Sequence, residues 1–484
     1  MRILYLDIDT LRADHLGCYG YQRDTSPNTD RIAAGGVRFE NCYVSDAPCL
    51  PSRASMFTGR FGIHTGVVGH GGSAADIRPI GCERHFSNMS QRGGFIWQLR
   101  EQGLYPVSAS PFAERHSAWW FCEGWREFYN PGKRGGERAD EVVPWVLDWI
   151  RRNADRDNWM LHVNILDPHT PYRTPDEFGD PFEGKPIEDW YTEEIRARQW
   201  ASFGPGTPQE PYGEMGCLSR ARRQPSQIAS MDDYRKFIDG YDTGIRYADE
   251  WMGRILNALA DKGVFDDTVV IVTSDHGENM GELAVIGDHA VADHITSRVP
   301  MIVRWPGLPG GRADEALHYQ TDLAATVVEL AGGGVPEWWD GASFAPAFRG
   351  GRSEGRPYVV ISQNCWACMR SVRWGDYLFC RTYHTGLKNL PARMLFNIRR
   401  DPHELKDLAA QQPALADHGQ TLLEQWTGDM MSRSTSAEDP MWLVMREGGP
   451  SHTQNQLASY CERLRATGRA HHADFLEAHP TGLA

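Results

Sequence analysis

The chain has 484 residues, of which 41% are hydrophobic and 24% charged, and its formal net charge is −14. That balance is near the globular average and excludes a largely disordered chain. The acidic excess argues against a nucleic-acid partner, although a small anionic ligand answers to local charge rather than to the sum. No apolar stretch reaches the roughly 18–20 residues that span a bilayer, so no membrane partner is expected. A chain of this length suits about three domains, or one large domain with an appendage.

Met1-Arg2 runs directly into Ile3-Leu4-Tyr5-Leu6. A secretory leader has a longer apolar run and a small-residue cleavage site, so the expectation is a cytoplasmic protein. Arg2–Ile8 reads as a buried strand ending in acids. Asn28–Ala34 reads as a short helix closed by Gly35-Gly36, and a second helix is expected to start near Pro51 and stop near Gly59. Gly94–Gln102 is a predicted helix and Leu104–Ala109 a predicted strand. Between Trp119 and Trp159, seven tryptophans and tyrosines suit either core or a sugar-binding wall. Ala139–Arg152 carries Val142, Val143, Val146 and Ile150 on one stripe, as an amphipathic helix does. Trp159–Leu166 is a predicted strand. Residues 176–228, rich in Pro, Gly, Arg and Glu without periodicity, read as an insertion or long loop over the site.

Met231–Ala260 is the longest helical pattern, followed by predicted strands at Thr268–Thr273 and Val299–Trp305. From about Arg356 the texture changes to short strand-like pieces at Tyr358–Ile361, Met369–Trp374 and Tyr377–Thr382, then a helical region. The division expected is therefore a catalytic domain over residues 1–355 and a smaller subdomain over 356–484. The ten cysteines are too sparse for a disulfide scaffold. Cys365-x-x-Cys368 has no second pair at ligand spacing and reads as structural.

Acids and histidines recur just after predicted strands: Asp7 and Asp9, Asp167 and His169, Asp275 and His276. Ligands of open α/β sheets bind outside the carboxyl ends of strands. Asp7, Asp9, Asp275 and His276 together suit one divalent cation.

The most specific segment is Cys49-Leu50-Pro51-Ser52-Arg53, followed by Thr58-Gly59-Arg60. It resembles the signature of type I sulfatases, in the alkaline phosphatase superfamily. Asp9-Thr10-Leu11-Arg12-Ala13-Asp14-His15 resembles that family's opening. Asp167-Pro168-His169-Thr170-Pro171 resembles its central histidine motif, and Ser274-Asp275-His276-Gly277 its late metal motif. Leu395-Phe396-Asn397 with Asp401-Pro402-His403-Glu404-Leu405 resembles the start of its C-terminal helical end. The resemblance implies an α/β fold with a large mixed, mostly parallel sheet sandwiched by helices, and a smaller C-terminal antiparallel subdomain. It implies hydrolysis of a small aryl or carbohydrate sulfate ester. Cys49 would be converted to formylglycine by a formylglycine-generating enzyme and held against one divalent metal, calcium by resemblance, with manganese tolerated by the softer His276. One hydroxyl of the hydrated aldehyde would attack sulfur. Loss of a proton from the other would then expel sulfate.

In the same terms Asp9, Asp275, His276 and residue 49 are metal ligands. Asp7, in phase with Asp9 along the strand, is either a further ligand or a support behind one. Arg53 is expected to fork onto the hydrated aldehyde or a substrate oxygen. His169 is expected as the leaving-group acid, His289 as a sulfuryl contact or second acid, and His116 as the base that collapses the hemiacetal. His64 and His70 read as structural or rim residues. Departures from the family pattern are Thr10 in place of a second adjacent acid, and His289 and Arg115-His116 where lysines are usual. Two other functions remain open in the sequence: a phosphonate monoester or phosphodiester hydrolase of the same superfamily, and an inactive sulfated-glycan-binding protein. A homo-oligomer is also left open.

Overall fold

The computed structural model describes residues 1–78, 93–213, 222–349 and 353–483. Cys82, Cys217 and part of the 176–228 stretch lie outside the described residues. The strands are β1 (Arg2–Ile8), β2 (Val37–Tyr43), β3 (Asp46–Ala47), β4 (Tyr105–Ala109), β5 (Glu127–Tyr129), β6 (Trp159–Ile165), β7 (Thr268–Thr273), β8 (Asn279–Met280), β9 (Ile286–Asp288), β10 (Met301–Arg304), β11 (Arg312–Tyr319), β12 (Val359–Gln363), β13 (Cys368–Trp374), β14 (Tyr377–His384) and β15 (Arg393–Asn397).

Alternation along β1 explains its central place. Leu4, Leu6 and Ile8 enter one apolar core, and Ile3 and Tyr5 enter another on the opposite face. A strand apolar on both faces belongs in the interior of a sheet covered on both sides. The large sheet has the order β11-β2-β10-β7-β1-β6-β4-β5. β1 pairs in parallel with both β6 and β7, and β10 runs antiparallel to both β7 and β2.

One face is covered by the helices Ala139–Asn153 and Met231–Asp261, whose apolar stripes supply Val142, Val146, Tyr241 and Ile245 to the first core. The other is covered by Cys49–Thr58, Phe95–Glu101 and Gln320–Leu330, through Leu50, Phe57, Phe95 and Val327. Burying a side chain such as Leu50 or Phe57 stabilises by about 1.5–3 kcal/mol. The fold class is therefore the one expected: mixed α/β, with a large and mostly parallel sheet between helices.

The smaller sheet has the order β15-β14-β13-β12-β3. The last four strands in the sequence are antiparallel, and β3, from the first fifty residues, adds to β12 in parallel. The helix Pro413–Arg433 packs on this sheet through Leu423, Trp426 and Met430.

Several expectations are corrected. Leu395-Phe396-Asn397 lies in β15, not at the start of a helix, because its apolar residues fill the small sheet's core. The signature helix begins at Cys49 rather than near Pro51, since Ser52 N–H already closes a turn on Pro48 O at 3.0 Å. The 176–228 stretch is not all loop; it contains the helix Glu193–Trp200, capped by Thr192. The polar C-terminus holds the helices Pro440–Arg446, Leu457–Ala466 and Ala470–Ala478. β2 and β11 were not anticipated, because their polar residues (Arg38, Glu40 and Asn41; Arg312, Asp314 and Glu315) interrupt the apolar run. Among the described residues no helix is long and apolar enough to cross a membrane.

Candidate active site

The parallel register of β1, β6 and β7 sets Asp7 beside Asn164 and Thr273. The loops that leave these strands therefore meet at one edge. Asp9 follows β1 and Asp275 follows β7, and Thr10 ties them. Its backbone N–H donates to Asp275 Oδ1 at 3.1 Å and its hydroxyl to Asp9 Oδ1 at 2.9 Å. Thr10 holds φ at 63°, a left-handed conformation that costs a non-glycine residue about 1–3 kcal/mol. Tyr241, on the long helix, stabilises it by donating to Thr10 O at 2.7 Å and accepting from Arg12 N–H at 2.9 Å. On the other side Ser274 Oγ accepts from Leu11 N–H at 2.9 Å and donates to His276 O at 2.7 Å.

Two signature glycines have steric reasons. A Cβ on Gly277 would lie 2.6 Å from Ile295 O. Gly59 ends the signature helix at φ 73°, and a Cβ there would strike the Trp339 ring at 2.1 Å. Helix Cys49–Thr58 is buried along its whole length and aims its first turn at this edge. Cys49 Sγ lies 3.1 Å from His276 Nε2. Donor atoms of Asp9, Cys49, Asp275 and His276 all lie within 4.8 Å of one another.

Arg53, one turn along the same helix, turns its donors to the acids. Nε and Nη2 donate to the two oxygens of Asp7 at 2.8 and 3.1 Å, and Nη1 to Asp9 Oδ2 at 3.0 Å and Asp275 Oδ2 at 2.6 Å. These ion pairs were not among the contacts expected of Arg53 from its motif. Asp7 is covered by Arg53 and by His162 Nε2 at 3.4 Å, and it is outside the group that surrounds Cys49. Burial by itself would raise Asp7 and Asp9, but Arg53, joined by His162 at Asp7 and by His169, Arg115 and His276 at Asp9, outweighs it and holds both below the ordinary carboxylate range. Asp275 is pushed up to about 6 by burial, against the pull of Arg53 and with repulsion from Asp9. When ionised, the carboxylates of Asp7, Asp9 and Asp275 face the one guanidinium of Arg53. A divalent cation would neutralise the remainder, so the donor set fits one, and carboxylates with a single imidazole favour a hard cation.

Above Cys49 opens a cleft of about 450 Å³. Its walls are rich in histidine: His70, His116, His169, His289 and His452, with Arg115 among them. Arg115 Nη2 donates to His169 Nε2 at 2.8 Å, which places the neutral ring's proton on Nδ1, toward Thr170 O. Burial and neighbouring positive charge push His70, His116, His169 and His289 below the usual histidine range. The same burial, with Asp9 and Asp275 nearby, pushes the Cys49 thiol up. The ring of His289 lies against that of His276 at 4.0 Å between centroids and tilted by 37°, with Nδ1 3.6 Å from Glu278 Oε2.

Of the residues singled out from the sequence, Asp9, Cys49, Asp275 and His276 meet at the floor. His116, His169 and His289 stand on the cleft walls, and Asp7 and Arg53 lie beneath. Asp167 does not join them: its Oδ2 accepts from Ala139 N–H at 2.7 Å and caps the helix Ala139–Asn153. His64 is structural, bridging Asp340 at 2.7 Å and Met430 O at 2.9 Å. His70 is at the cleft rather than in the framework.

The aromatic residues of the cleft are Tyr212 and Trp366, not the 119–159 group. There Trp149 and Trp159 are core, and Tyr129 stacks on Trp145. Sequence reasoning missed Thr10, Ser274, Trp366 and His452. Thr10 had a signal, as the departure beside Asp9; Trp366 and His452 lie more than 300 residues from Cys49 in sequence and had none.

The sulfatase family model matches residues 2–333, and a model for the C-terminal region of N-sulphoglucosamine sulphohydrolase matches residues 288–427. The N-acetylglucosamine-6-O-sulfatase of Bacteroides thetaiotaomicron is 25% identical over 402 residues, covering 71% of this chain and 70% of that one. The choline-sulfatase of Rhizobium meliloti is 26% identical over 422 residues, covering 79% and 77%. Among solved structures, the phosphonate monoester hydrolase of Agrobacterium radiobacter shares the fold at a TM-score of 0.68 and 20% identity, covering 89% of this chain and 96% of that one. With the alkaline phosphatase-like sheet and the complete signature around Cys49, the chain belongs to the sulfatase family of sulfate-ester hydrolases.

Proposed function

We propose that the protein hydrolyses a carbohydrate or aryl sulfate ester, with residue 49, converted from cysteine to formylglycine, as nucleophile. One observation carries the reading: Cys49 Sγ stands in the midst of Asp9, Asp275 and His276, on the floor of the cleft. Asp9, Asp275 and His276, with residue 49, would hold one divalent metal. Calcium suits the carboxylates, manganese the imidazole. When bound, the metal lowers the pKa of an adjacent hydroxyl and draws charge from a sulfuryl oxygen.

The chain's own residues supply the rest. Arg53 holds Asp9 and Asp275 in place and Asp7 holds Arg53, so Asp7 supports the site instead of ligating. The first turn of the signature helix offers positive potential to an anion. His289, whose ring lies against His276, contacts the sulfuryl group. When Arg115 turns from His169 to the incoming anion, Nε2 of His169 is freed to take up a proton from solvent beside the bound negative charge, and it gives that proton to the departing alcohol oxygen. His116 takes the proton from the second hydroxyl of residue 49 as the hemiacetal collapses. A cleft of about 450 Å³ walled by Tyr212 and Trp366 suits a single sugar or aryl ring.

The deciding experiment is mass spectrometry of the peptide containing residue 49, from protein made in a host with a formylglycine-generating enzyme. Aldehyde in place of thiol is expected, and an unmodified thiol in fully active protein defeats the reading. Relative turnover on aryl sulfate and aryl phosphonate monoester then separates sulfatase from phosphonate hydrolase.

A further inference from the structure

We infer that, while residue 49 is still a cysteine, the cleft binds a soft divalent cation of the zinc class on the Cys49 thiolate and the imidazoles of His70 and His116. Cys49 Sγ and one ring nitrogen each of His70 and His116 lie within 4.8 Å of one another. Zinc sits about 2.0–2.3 Å from nitrogen and sulfur ligands, so the three side chains would draw closer together on binding a common ion.

His70 is already prepared for the role. Its Nδ1 is paired with His452 Nε2 at 2.8 Å, and His452 is stacked on Trp366 at 4.4 Å between centroids. Nε2 of His70 is left facing Cys49, with only a long 3.5 Å approach from Leu50 N–H. Metal-binding histidines are held in this way, with the far nitrogen hydrogen-bonded to an outer partner. His116 presents the complementary feature: its Nε2 is buried and has no hydrogen-bond partner. All three side chains line the cleft, so a fourth coordination position faces solvent.

Ligand chemistry separates this site from the acids below. Two imidazoles and a thiolate are borderline-to-soft donors, and the oxygens of Asp9 and Asp275 are hard. A zinc-class ion therefore draws the sulfur to the histidine wall, and a hard cation stays with the carboxylates. Binding releases the thiol proton to solvent. Conversion of Cys49 to formylglycine removes the sulfur and leaves two imidazoles, so the affinity falls with maturation. This inference needs only the cysteine and the two histidines, and its failure leaves the hydrolase reading intact.

The test uses full-length protein expressed without conversion, its free thiol confirmed by mass, and titrated with Co²⁺ and then Zn²⁺. A thiolate-to-cobalt charge-transfer band is expected, bleached by one equivalent of Zn²⁺. His70→Gln and His116→Gln should each weaken Zn²⁺ by about tenfold or more, with the circular dichroism spectrum unchanged. Asp275→Asn should keep the band. Absence of the band in the unconverted chain overturns the proposal. So does a band lost in Asp275→Asn and retained in His70→Gln, because the sulfur then serves the carboxylate site.

Discussion

Two walls meet at Cys49, and they are built in opposite ways. Below it, Asp7, Asp9 and Asp275 are almost wholly buried and share one guanidinium, so each charge is fixed by another. Above it, His70, His116, His169, His289 and His452 line an open cleft, kept neutral by burial and neighbouring positive charge, and few of them are tied to a charged partner. A buried ionic network tolerates no missing member, because removal leaves an unpaired charge in a low-dielectric site. A histidine wall can change its contacts as a ligand arrives. The lower wall is suited to holding an ion and a nucleophile in place, the upper one to binding an anion and moving protons.

Substitutions can break this contrast. Cys49→Ala should have the largest effect, lowering kcat by about 10⁴-fold or more, as loss of a nucleophile does, with little change in melting temperature. Asp275→Asn should remove the bound metal, measured by elemental analysis, and reduce turnover by about 10³-fold. Metal retained in that variant would move the ion elsewhere.

Stability sharpens the comparison. Arg53→Ala should cost about 3–5 kcal/mol in a urea titration, and His169→Ala should leave the midpoint nearly unchanged. Equal losses would erase the distinction between the walls. His169→Ala should instead reduce turnover by about 10²-fold, the lower range for a proton donor, and most for substrates with poor leaving groups. The smallest effect should come from Trp366→Ala, which removes only aromatic contact worth about 0.5–1.5 kcal/mol. It should raise KM several-fold and leave kcat unchanged.

The floor of the site was legible because its residues follow strands. An acid at the carboxyl end of a buried apolar run stands at the sheet's edge, and Asp9, Asp275 and His276 were found in this way. The walls were less legible. Trp366 and His452 come from the C-terminal region, and no local pattern near either one marks a cleft. The ion pairs of Arg53 were less legible for a related reason: its motif identifies the residue but not the acids its donors meet, which three carboxylates from two strands decide.

Local chemistry in the chain fixed the central strands and the long amphipathic helices, the edge at which the acids gather and the signature around Cys49, because periodicity, glycine sterics and strand-end position act over a few residues. The folded structure alone decided that Asp7 lies behind Arg53, that Asp167 caps a helix, that β3 joins the distant small sheet and that His70 faces Cys49. Those outcomes depend on pairings between segments tens to hundreds of residues apart, where packing and buried charge choose among arrangements that local sequence leaves equal.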